Sequence, residues 1–325
     1  MHELPVCPAC GVTRWRELGH RTYRASEASS QGDYVRKRYE VLFSDWFPGQ
    51  DRVRITSLLC TCCGLITYRP RPGNEDLDAK YRRLQQLENP SRRSVTEVDR
   101  ARAAEVCGHA VRIAGRPLVR DQAVLDFGGG DGRLMLPYVK AGCRCDLVDY
   151  VGEPQPGVTR RASALAELPD TTRYDWIIAC HVVEHLASPL EAVRELASRL
   201  SPCGVLFVEV PLEVWGRPPL LAEPVTHINF FTRSSLRYLL EMAGLEVIDC
   251  RLASSLHPTG RRRPAIRAVA TRAHAHFTPQ PPGTWEADQF LSANPLVQWR
   301  CRLLLPRVLL GRVGRLCGVR RGSLP

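Results

Sequence analysis

The sequence predicts an α/β fold in which a seven-stranded sheet carries helices on both faces, with a small β module in front of it. The first observation is an alternation, from residue 123 onward, of short apolar runs with amphipathic helical patterns, which is typical of a largely parallel sheet. The second is a pair of Cys-x-x-Cys-Gly units near the N-terminus, which is typical of a small module organised by a metal ion.

Length and composition suit a protein with a sizeable core. The chain has 325 residues, 44% of them hydrophobic, which is enough for one large or two ordinary domains. We divide it into a cysteine-knuckle module (1–72), a helical linker and cap (73–122), the α/β domain (123–273) and a basic extension (274–325). With 13 cysteines and no export-type segment after Met1, we expect a cytoplasmic location with reduced cysteines. No apolar run is long enough to predict a membrane-spanning helix.

Four cysteines of the first module form two matching knuckles, Cys7/Cys10 and Cys60/Cys63, each followed by a glycine. Such a turn aims two thiolates at one ion, and two turns complete the tetrahedral environment of structural Zn²⁺. We expect a zinc-ribbon-like module that the ion holds together without catalysing; unliganded cysteines are the alternative. Between the knuckles the pattern predicts two β-like stretches separated by a Pro-Gly turn, Tyr39–Phe43 and Arg52–Thr56.

The linker pattern predicts two helices. The first runs from Asn74 to Leu87 and has acidic residues in its first turn, and the second spans Val98–Ala114. We expect both to cover the ligand crevice of the α/β domain or to pack beside it.

A glycine-rich loop between a strand and a helix lies at the centre of the α/β domain. The apolar run Ala123–Leu125 leads into Asp126 and then into Gly128, Gly129 and Gly130, after which a helical pattern begins. Glycine lets such a turn adopt positive φ and lets a ligand approach the backbone at the carboxyl edge of the sheet. The loop does not match the phosphate-binding pattern, which needs Gly-Lys-Ser/Thr at the start of the helix. It does not match the dinucleotide-binding pattern either, because Arg133 stands where that pattern has its third glycine. A glycine turn without a ligand is the alternative.

The second predicted strand, Cys145–Asp149, also ends in an acid. Asp149 follows Asp126 by 23 residues, close to the spacing expected for a carboxylate that binds the two hydroxyls of a ribose. Two carboxylates around a glycine loop also suit a cationic ligand. A surface acid in a turn is the alternative for Asp149.

Polar residues follow the third predicted strand, Tyr174–Cys180, at the same edge of the sheet. They are His181, Glu184 and His185, and polar groups in this position are costly unless they serve a purpose. The alternative is that Glu184 caps a turn and that His185 packs structurally.

Further elements complete the predicted domain. The next helix begins at Ser188, where Glu191 can close a capping box, and it ends at Pro202–Gly204. Another helix ends at Gly244. Three more strands are predicted, Val205–Val210, Leu245–Arg251 and Ala265–Thr271, which bring the strands named from the pattern to six of the seven that we expect in the sheet.

The loop that precedes the last of these helices contains a single histidine, His227. Because histidine titrates near physiological pH, His227 is our first candidate for a general base. A histidine bonded within its own loop is the alternative.

Together these motifs resemble those of class I S-adenosylmethionine (SAM) methyltransferases with an N-terminal zinc-binding knuckle domain, a group that includes sugar C-methyltransferases. The acid-x-Gly-x-Gly-x-Gly pattern at Asp126 is similar to their motif I, and the Glu184-His185 pair and the His227 loop are similar to their central and substrate-facing segments. The resemblance implies a Rossmann-like fold with SAM as cofactor, beside structural Zn²⁺. The cofactor-binding residues that it implies are Asp126, Gly128, Gly129, Gly130, Asp149, Tyr150 and Cys180. The implied catalytic residues are His227, His181, Glu184 and His185.

The resemblance also implies a function. The leading hypothesis is methyl transfer to a small-molecule acceptor, foremost a sugar or another natural-product or cell-surface glycan precursor. An RNA or protein methyltransferase is the first alternative, and a non-catalytic zinc-ribbon binding protein with a degenerate SAM fold is the second. The set of His181, Glu184 and His185 could also hold a divalent ion, as in some quinone O-methyltransferases.

The basic extension leaves the partners open. Residues 296–325 contain seven arginines and no acid. One interpretation is an interfacial helix on an anionic membrane, which would suit a lipid-linked acceptor. Contact with nucleic acid is a less favoured interpretation, since no recognised RNA module is present. A helix packed on the sheet with solvated arginines is the remaining alternative.

Overall fold

The computed structural model describes residues 6–88, 94–214, 223–273 and 277–292. The arginine-rich end, residues 296–325, lies outside this part of the chain, so the predictions made for it stay predictions. Within the described ranges no helix combines the length and the apolar character that crossing a membrane requires.

The N-terminal module is a three-stranded antiparallel sheet in the order β1-β2-β3 with a helical insertion. Its elements are β1 (Trp15–Arg24), α1 (Asp33–Glu40), β2 (Arg52–Cys60) and β3 (Ile66–Arg69). The strand predicted at Arg52–Thr56 is confirmed as part of β2.

The strand predicted at Tyr39–Phe43 is wrong, because this segment belongs to α1 and to the π-helical stretch Val41–Trp46 that continues it. Tyr39, Val41, Leu42 and Trp46 are buried, while Phe43 is only partly buried. The burial of two consecutive residues, Val41 and Leu42, followed by Trp46 four positions later fits a helix, whereas a half-buried strand would bury alternate residues only. The aromatic and β-branched residues of this segment are common in strands, which is why its sequence favoured a strand over a helix.

The two linker helices are confirmed as α2 (Asn74–Glu88) and α3 (Glu97–Ala114). Thr96 and Asp99 form a reciprocal capping box at the start of α3, and Gly115 ends it in the left-handed conformation.

The main sheet has seven strands in the order β6-β5-β4-β7-β8-β10-β9. All pairs are parallel except those of β10, which is antiparallel to both of its neighbours. The strands are β4 (Ala123–Phe127), β5 (Arg144–Val148), β6 (Val158–Ala162), β7 (Tyr174–Cys180), β8 (Leu200–Pro211), β9 (Leu245–Leu256) and β10 (Arg262–Arg272). The helices between them are α4 (Leu136–Lys140), α5 (Pro189–Ser198) and α6 (Arg233–Met242).

Helices cover both faces of this sheet, as predicted. Alternate residues of β4 and β7 belong to two separate core clusters, with Val124 and Trp176 in one and Leu125 and Ile177 in the other. The first cluster packs beneath α3 and α4, and the second beneath α5 and α6. Both faces of the central strands are therefore buried and excluded from solvent, and polar residues concentrate where the strands end.

Two local predictions in this domain are wrong. Ser188 precedes α5, but its side chain makes no capping hydrogen bond, so the capping box with Glu191 does not form. Strand β8 begins at Leu200, so Pro202–Gly204 lies inside it and does not separate helix from strand. Gly204 sits where an added Cβ would lie 2.8 Å from the Tyr174 carbonyl oxygen, which explains a glycine within the strand.

The C-terminal described segment folds back onto the N-terminal module. Its helix, α7, spans Trp285–Leu291. The amide of Gly283 donates to the Cys62 carbonyl at 2.9 Å, and Glu286 accepts from the amide of Ser234 at 2.6 Å. This segment therefore joins the cysteine module to the start of α6.

Candidate functional site

The glycine loop after β4 has the conformation that its sequence predicts. Gly128 and Gly130 both have positive φ, 67° and 64°. A Cβ added to Gly128 would lie 2.6 Å from a methyl group of Val182, and one added to Gly129 would lie 2.0 Å from a carboxylate oxygen of Asp126. Only glycine fits at these positions, and the backbone of the loop stays uncovered on its outer side.

Asp126 lies directly beneath this loop and is fully buried. Neither carboxylate oxygen has a hydrogen-bond partner among the described residues. Burial, aided by the nearby carboxylates of Asp149 and Asp131, raises the pKa of Asp126 to about 8. A buried acid without donors is a group that a cationic ligand can satisfy.

Asp149 holds the same loop from the neighbouring strand. Its carboxylate accepts from the amide of Gly130 at 2.7 Å and from the amide of Val151 at 2.9 Å. Burial raises the pKa of Asp149, although these amide donors oppose the shift. Tyr150, the next residue, is exposed, and its ring lies 5.0 Å from the ring of Tyr81 on α2. The two predicted cofactor residues therefore border one opening.

Two cavities flank the carboxyl edge of the sheet. The Asp149 cavity has a volume of about 540 Å³ and is lined by residues that include Tyr81, Phe127, Asp149, Tyr150, Ser163 and Leu165. The His227 cavity has a volume of about 570 Å³ and is lined by residues that include Arg102, Gly129, Arg133, Cys180, Glu213 and His227. Gly128, His181 and Thr226 line both, so the two cavities meet at these three residues.

His181 occupies this junction in a strained conformation, with φ 56°. Its Nδ1 lies 3.3 Å from a carboxylate oxygen of Glu184 and its Nε2 lies 3.1 Å from one of Glu209. Burial on its own lowers the pKa of His181, but the two carboxylates outweigh it and raise the pKa to about 9. Both glutamates are fully buried, so His181 is an imidazolium held between two acids.

Two further histidines face each other beside Glu184, with ring centroids 4.7 Å apart. His185 donates from Nδ1 to the Thr226 carbonyl at 2.6 Å, since a carbonyl can only accept. Burial depresses the pKa of His185 well below its usual value, so it is neutral. The Nδ1 of His227 lies 2.7 Å from a carboxylate oxygen of Glu213. Burial lowers the pKa of His227, and the Glu213 carboxylate more than reverses this.

Glu184, His185 and His227 place one ligand atom each within 4.8 Å of one another, a donor set that could hold a divalent ion. The set predicted from the sequence named His181 in place of His227, but His181 is paired with two glutamates. Cys180, predicted as a cofactor residue, is buried at the end of β7, and burial holds its pKa well above the usual value. Its thiol is therefore neutral.

The four knuckle cysteines converge as predicted. Cys7 and Cys63 have their sulfur atoms 3.6 Å apart, as do Cys10 and Cys60, and all four sulfurs lie within 4.8 Å of one another. A tetrahedral ion with Zn–S distances of about 2.3 Å requires sulfurs roughly 3.8 Å apart. The residues present therefore fit structural Zn²⁺, and four protein ligands leave no open position on it.

Two residues at the site were missed by the sequence analysis. Glu213 follows the end of β8 and orients His227, and Arg102 on α3 donates to Glu209 at 2.9 Å. Neither lies in a motif, and each reaches the site only through the packing of elements far apart in sequence.

Comparison with known proteins identifies part of the chain. Residues 98–249, just under half of it, match the family model described as a methyltransferase domain. No curated protein matches the chain.

Similar solved structures are also methyltransferases. One is 1,6-didemethyltoxoflavin N1-methyltransferase of Burkholderia thailandensis, with 22% identity, coverage of 61% of this chain and 86% of that chain, and a TM-score of 0.43. Another is magnesium protoporphyrin IX methyltransferase of Synechocystis, with 17% identity, coverage of 59% and 93%, and a TM-score of 0.40. Coclaurine N-methyltransferase has 15% identity, coverage of 56% and 74%, and a TM-score of 0.42.

The family match spans β4 to β8 and includes the glycine loop, both strand-end acids and His181 to His227. This match favours an enzyme over the second alternative named above, a non-catalytic zinc-ribbon binding protein. Residues 98–249 therefore form a methyltransferase domain, and the chain is a methyltransferase.

Proposed function

We propose that this methyltransferase methylates a small polar acceptor, foremost a sugar or another glycan precursor, bound in the His227 cavity. The observation that carries the proposal is the meeting of two cavities of small-molecule size at Gly128, His181 and Thr226. A methyl group can pass directly between ligands bound on the two sides of that junction.

SAM would lie against the glycine loop, with its ribose beside Asp149 and its cationic part near Asp126. Exposed loop backbone, an unpartnered buried acid and a second acid at the neighbouring strand end all favour this placement. Bound SAM supplies an electrophilic methyl group. The protein holds the acceptor atom in line with that group, and such orientation can contribute several kcal/mol to lowering the barrier, roughly 7 or more in favourable cases.

The lining of the His227 cavity favours a polar acceptor. Hydrogen-bonding side chains from four separate segments face it, including Tyr34, Arg102, Glu213, Ser255, His257 and Arg263. A ligand rich in hydroxyl groups could satisfy many of these donors and acceptors at once. Most of these groups already bond within the protein, Tyr34 to Thr226, Arg102 to Glu209 and Glu213 to His227, so hydroxyl groups of the acceptor would use their remaining donor and acceptor positions.

His227 is the proposed general base. Its Nδ1 is held by Glu213, so that a neutral ring carries its lone pair on Nε2, and the ring lines the acceptor side. The raised pKa of His227 makes its neutral imidazole a stronger base toward a proton of the acceptor. Such a base contributes on the order of 10²–10⁴-fold.

The other histidines have different proposed roles. His181 has both ring nitrogens beside carboxylates and no free lone pair, so we assign it to shaping the junction and placing positive charge there. His185, neutral and bonded to the Thr226 carbonyl, fixes the backbone next to His227. Glu184 supplies the buried charge that both rings face.

The proposal is tested with the purified full chain. Calorimetry with S-adenosylhomocysteine checks the cofactor site, and transfer of a labelled methyl group from SAM is then followed across nucleotide sugars, quinones, RNA and a protein extract. We expect binding, and labelling of a sugar compound. Labelling of RNA or protein alone would replace the proposal with its first alternative, and absence of S-adenosylhomocysteine binding would remove it.

The role of His227 is tested separately. His227→Ala should retain binding of S-adenosylhomocysteine and lose turnover by the factor given above for a base. His20→Ala, an exposed histidine on β1, is the matched control and should behave as the wild type. Turnover of His227→Ala close to that of the wild type would show that another group takes the proton.

A further inference from the structure

Arg71 is a buried cation without a carboxylate partner. It follows β3 by two residues, its side chain is almost fully enclosed, and no acid of the described chain lies within ion-pair distance of it. Burial lowers the pKa of Arg71, but only to about 10, so it stays charged at neutral pH. The groups whose negative charge opposes this shift are Tyr68 and Cys7, and neither of them accepts a hydrogen bond from the guanidinium. A buried charge without a directly bonded counter-ion is costly, so its position needs an explanation.

All of the hydrogen bonds of the Arg71 guanidinium go to oxygen atoms of two turns and of Thr67. Nη2 donates to the carbonyls of Leu186 at 3.1 Å and Ala187 at 3.0 Å. The same group donates to the side-chain oxygen of Asn229 at 2.8 Å, and Nη1 donates to the carbonyl of Ile228 at 2.8 Å. One planar group therefore ties residues 186–187 to residues 228–229.

Each of these turns carries part of the proposed catalytic site. Leu186 directly follows His185, and Ile228 directly follows His227. Asn229 adds a second connection, because its amide nitrogen donates to the carbonyls of Val183 at 3.1 Å and Leu186 at 2.8 Å. The ring separation of the two histidines is thus fixed by bonds made one residue away from each.

We propose that Arg71 is a positioning residue for methyl transfer, which sets the placement of His227 relative to Glu213 and His185 by clamping the two turns together. The proposal rests on the role of His227 put forward under Proposed function. It assigns to Arg71 no contact with SAM or with the acceptor.

The chemistry of the guanidinium explains why this position needs arginine. Its five donors lie in one plane and point in fixed directions, so two nitrogen atoms can serve two separate turns at once. A lysine would keep the charge but would present its donors from a single atom. A neutral side chain would leave the Ala187 carbonyl and the side-chain oxygen of Asn229 without a donor, while the Ile228 and Leu186 carbonyls would keep only the donors from Thr67 and Asn229.

The clamp also connects the zinc module to the catalytic loop. Ile66 and Phe230 exchange backbone hydrogen bonds of 3.1 and 2.8 Å, and the hydroxyl of Thr67 donates to the Ile228 carbonyl at 2.8 Å. Cys63 lies only three residues before Ile66. The knuckle therefore anchors the short strand from which Arg71 reaches the two turns.

The test compares Arg71→Lys with the wild type and with Arg69→Lys, an exposed arginine two residues earlier whose partner, Glu17, is also exposed. Zinc content and thermal unfolding report folding, and calorimetry with S-adenosylhomocysteine reports the cofactor site. Spectra of ¹⁵N-labelled histidine, recorded against pH and assigned with His227→Ala, report the titration of His227 without any acceptor. Turnover is measured with whichever acceptor the labelling panel identifies.

We expect Arg71→Lys to keep zinc and cofactor affinity, while His227 loses its alignment with Glu213 and its titration midpoint falls toward 6.5. Turnover should fall by about 100-fold, the effect of misplacing a reacting group by roughly 1 Å. Arg69→Lys should match the wild type in every measurement.

Two results would overturn the proposal. One is an unchanged histidine titration and turnover in Arg71→Lys. The other is a joint loss of zinc, stability and cofactor affinity, which would make Arg71 a structural residue only. If the wild type fails to bind S-adenosylhomocysteine, the proposed function fails, but the titration of His227 still decides whether Arg71 positions it.

Discussion

Replacing Asp126 by asparagine should remove a pH-dependent loss of stability from the SAM-free protein. The pKa of Asp126 is about 8 in the folded chain against an ordinary 3.8, chiefly because the carboxyl group is fully buried. Between these values the folded chain retains a proton that the unfolded chain has released, so this group makes stability fall as pH rises. The slope approaches about 1.4 kcal/mol per pH unit.

From pH 6 to pH 8 the wild type should therefore lose about 2 kcal/mol more unfolding free energy than Asp126→Asn, once partial ionisation of the folded state near pH 8 is included. The assay is urea unfolding at both pH values. The difference between the two proteins isolates Asp126, because His181 and His227 titrate in both. Asp146→Asn, on the neighbouring strand, is the control. Parallel pH dependences for wild type and Asp126→Asn would refute the reasoning.

Three further outcomes are expected. Asp149→Ala should weaken S-adenosylhomocysteine binding in calorimetry while the circular dichroism spectrum stays that of a folded protein, because the loop amide of Gly130 loses its acceptor. Cys63→Ser should lose stoichiometric zinc in metal analysis, whereas Cys203→Ser, an exposed cysteine far from the knuckles, should retain it. Glu213→Gln should lower the pKa of His227, and because a base acts when deprotonated, the rise of turnover with pH should shift to lower pH. A rise at the wild-type position would contradict this assignment.

The fold was predictable where its determinants are local. Central strands β4 and β7 each contain an apolar run, Ala123–Leu125 and Trp176–Cys180, and the residues that shape the glycine loop lie within a few positions of one another. Strand β6 (Val158–Ala162) was not named because it lies at the sheet edge, where three of its five residues are polar and partly or fully exposed. An edge strand has only one neighbour, so its sequence carries a weaker signal.

The candidate site was predictable only in part. Residues at the ends of strands, such as Asp149 and His181, could be placed because the carboxyl ends of parallel strands meet at one edge. Glu213 and Arg71 have no such signal. Each comes from a connecting segment, and its proximity to His227 depends on contacts more than a dozen residues apart, Arg71 being 157 residues from its partner Ile228.

The charges buried at this edge follow one physical logic. In the described chain, the Asp126 carboxyl group has no hydrogen-bond donor and the Arg71 guanidinium has no carboxylate partner. Glu209 is enclosed by Arg102, Arg267 and His181, which hold its pKa far below the usual range despite burial. Replacing buried charges by apolar residues of similar volume is often neutral or stabilising, so stability alone gives little reason for charges at these positions. We therefore look for a functional reason for Asp126 and Arg71, the two groups without a bonded counter-ion. Asp126 lies beneath the glycine loop at which we propose that SAM binds, so the proposal makes a cationic ligand its missing partner. Arg71 instead donates to backbone and side-chain oxygens, and what it provides is their alignment. The prediction that separates the two follows directly: saturating S-adenosylhomocysteine should reduce the pH dependence contributed by Asp126 and leave the effect of Arg71→Lys on the His227 titration unchanged.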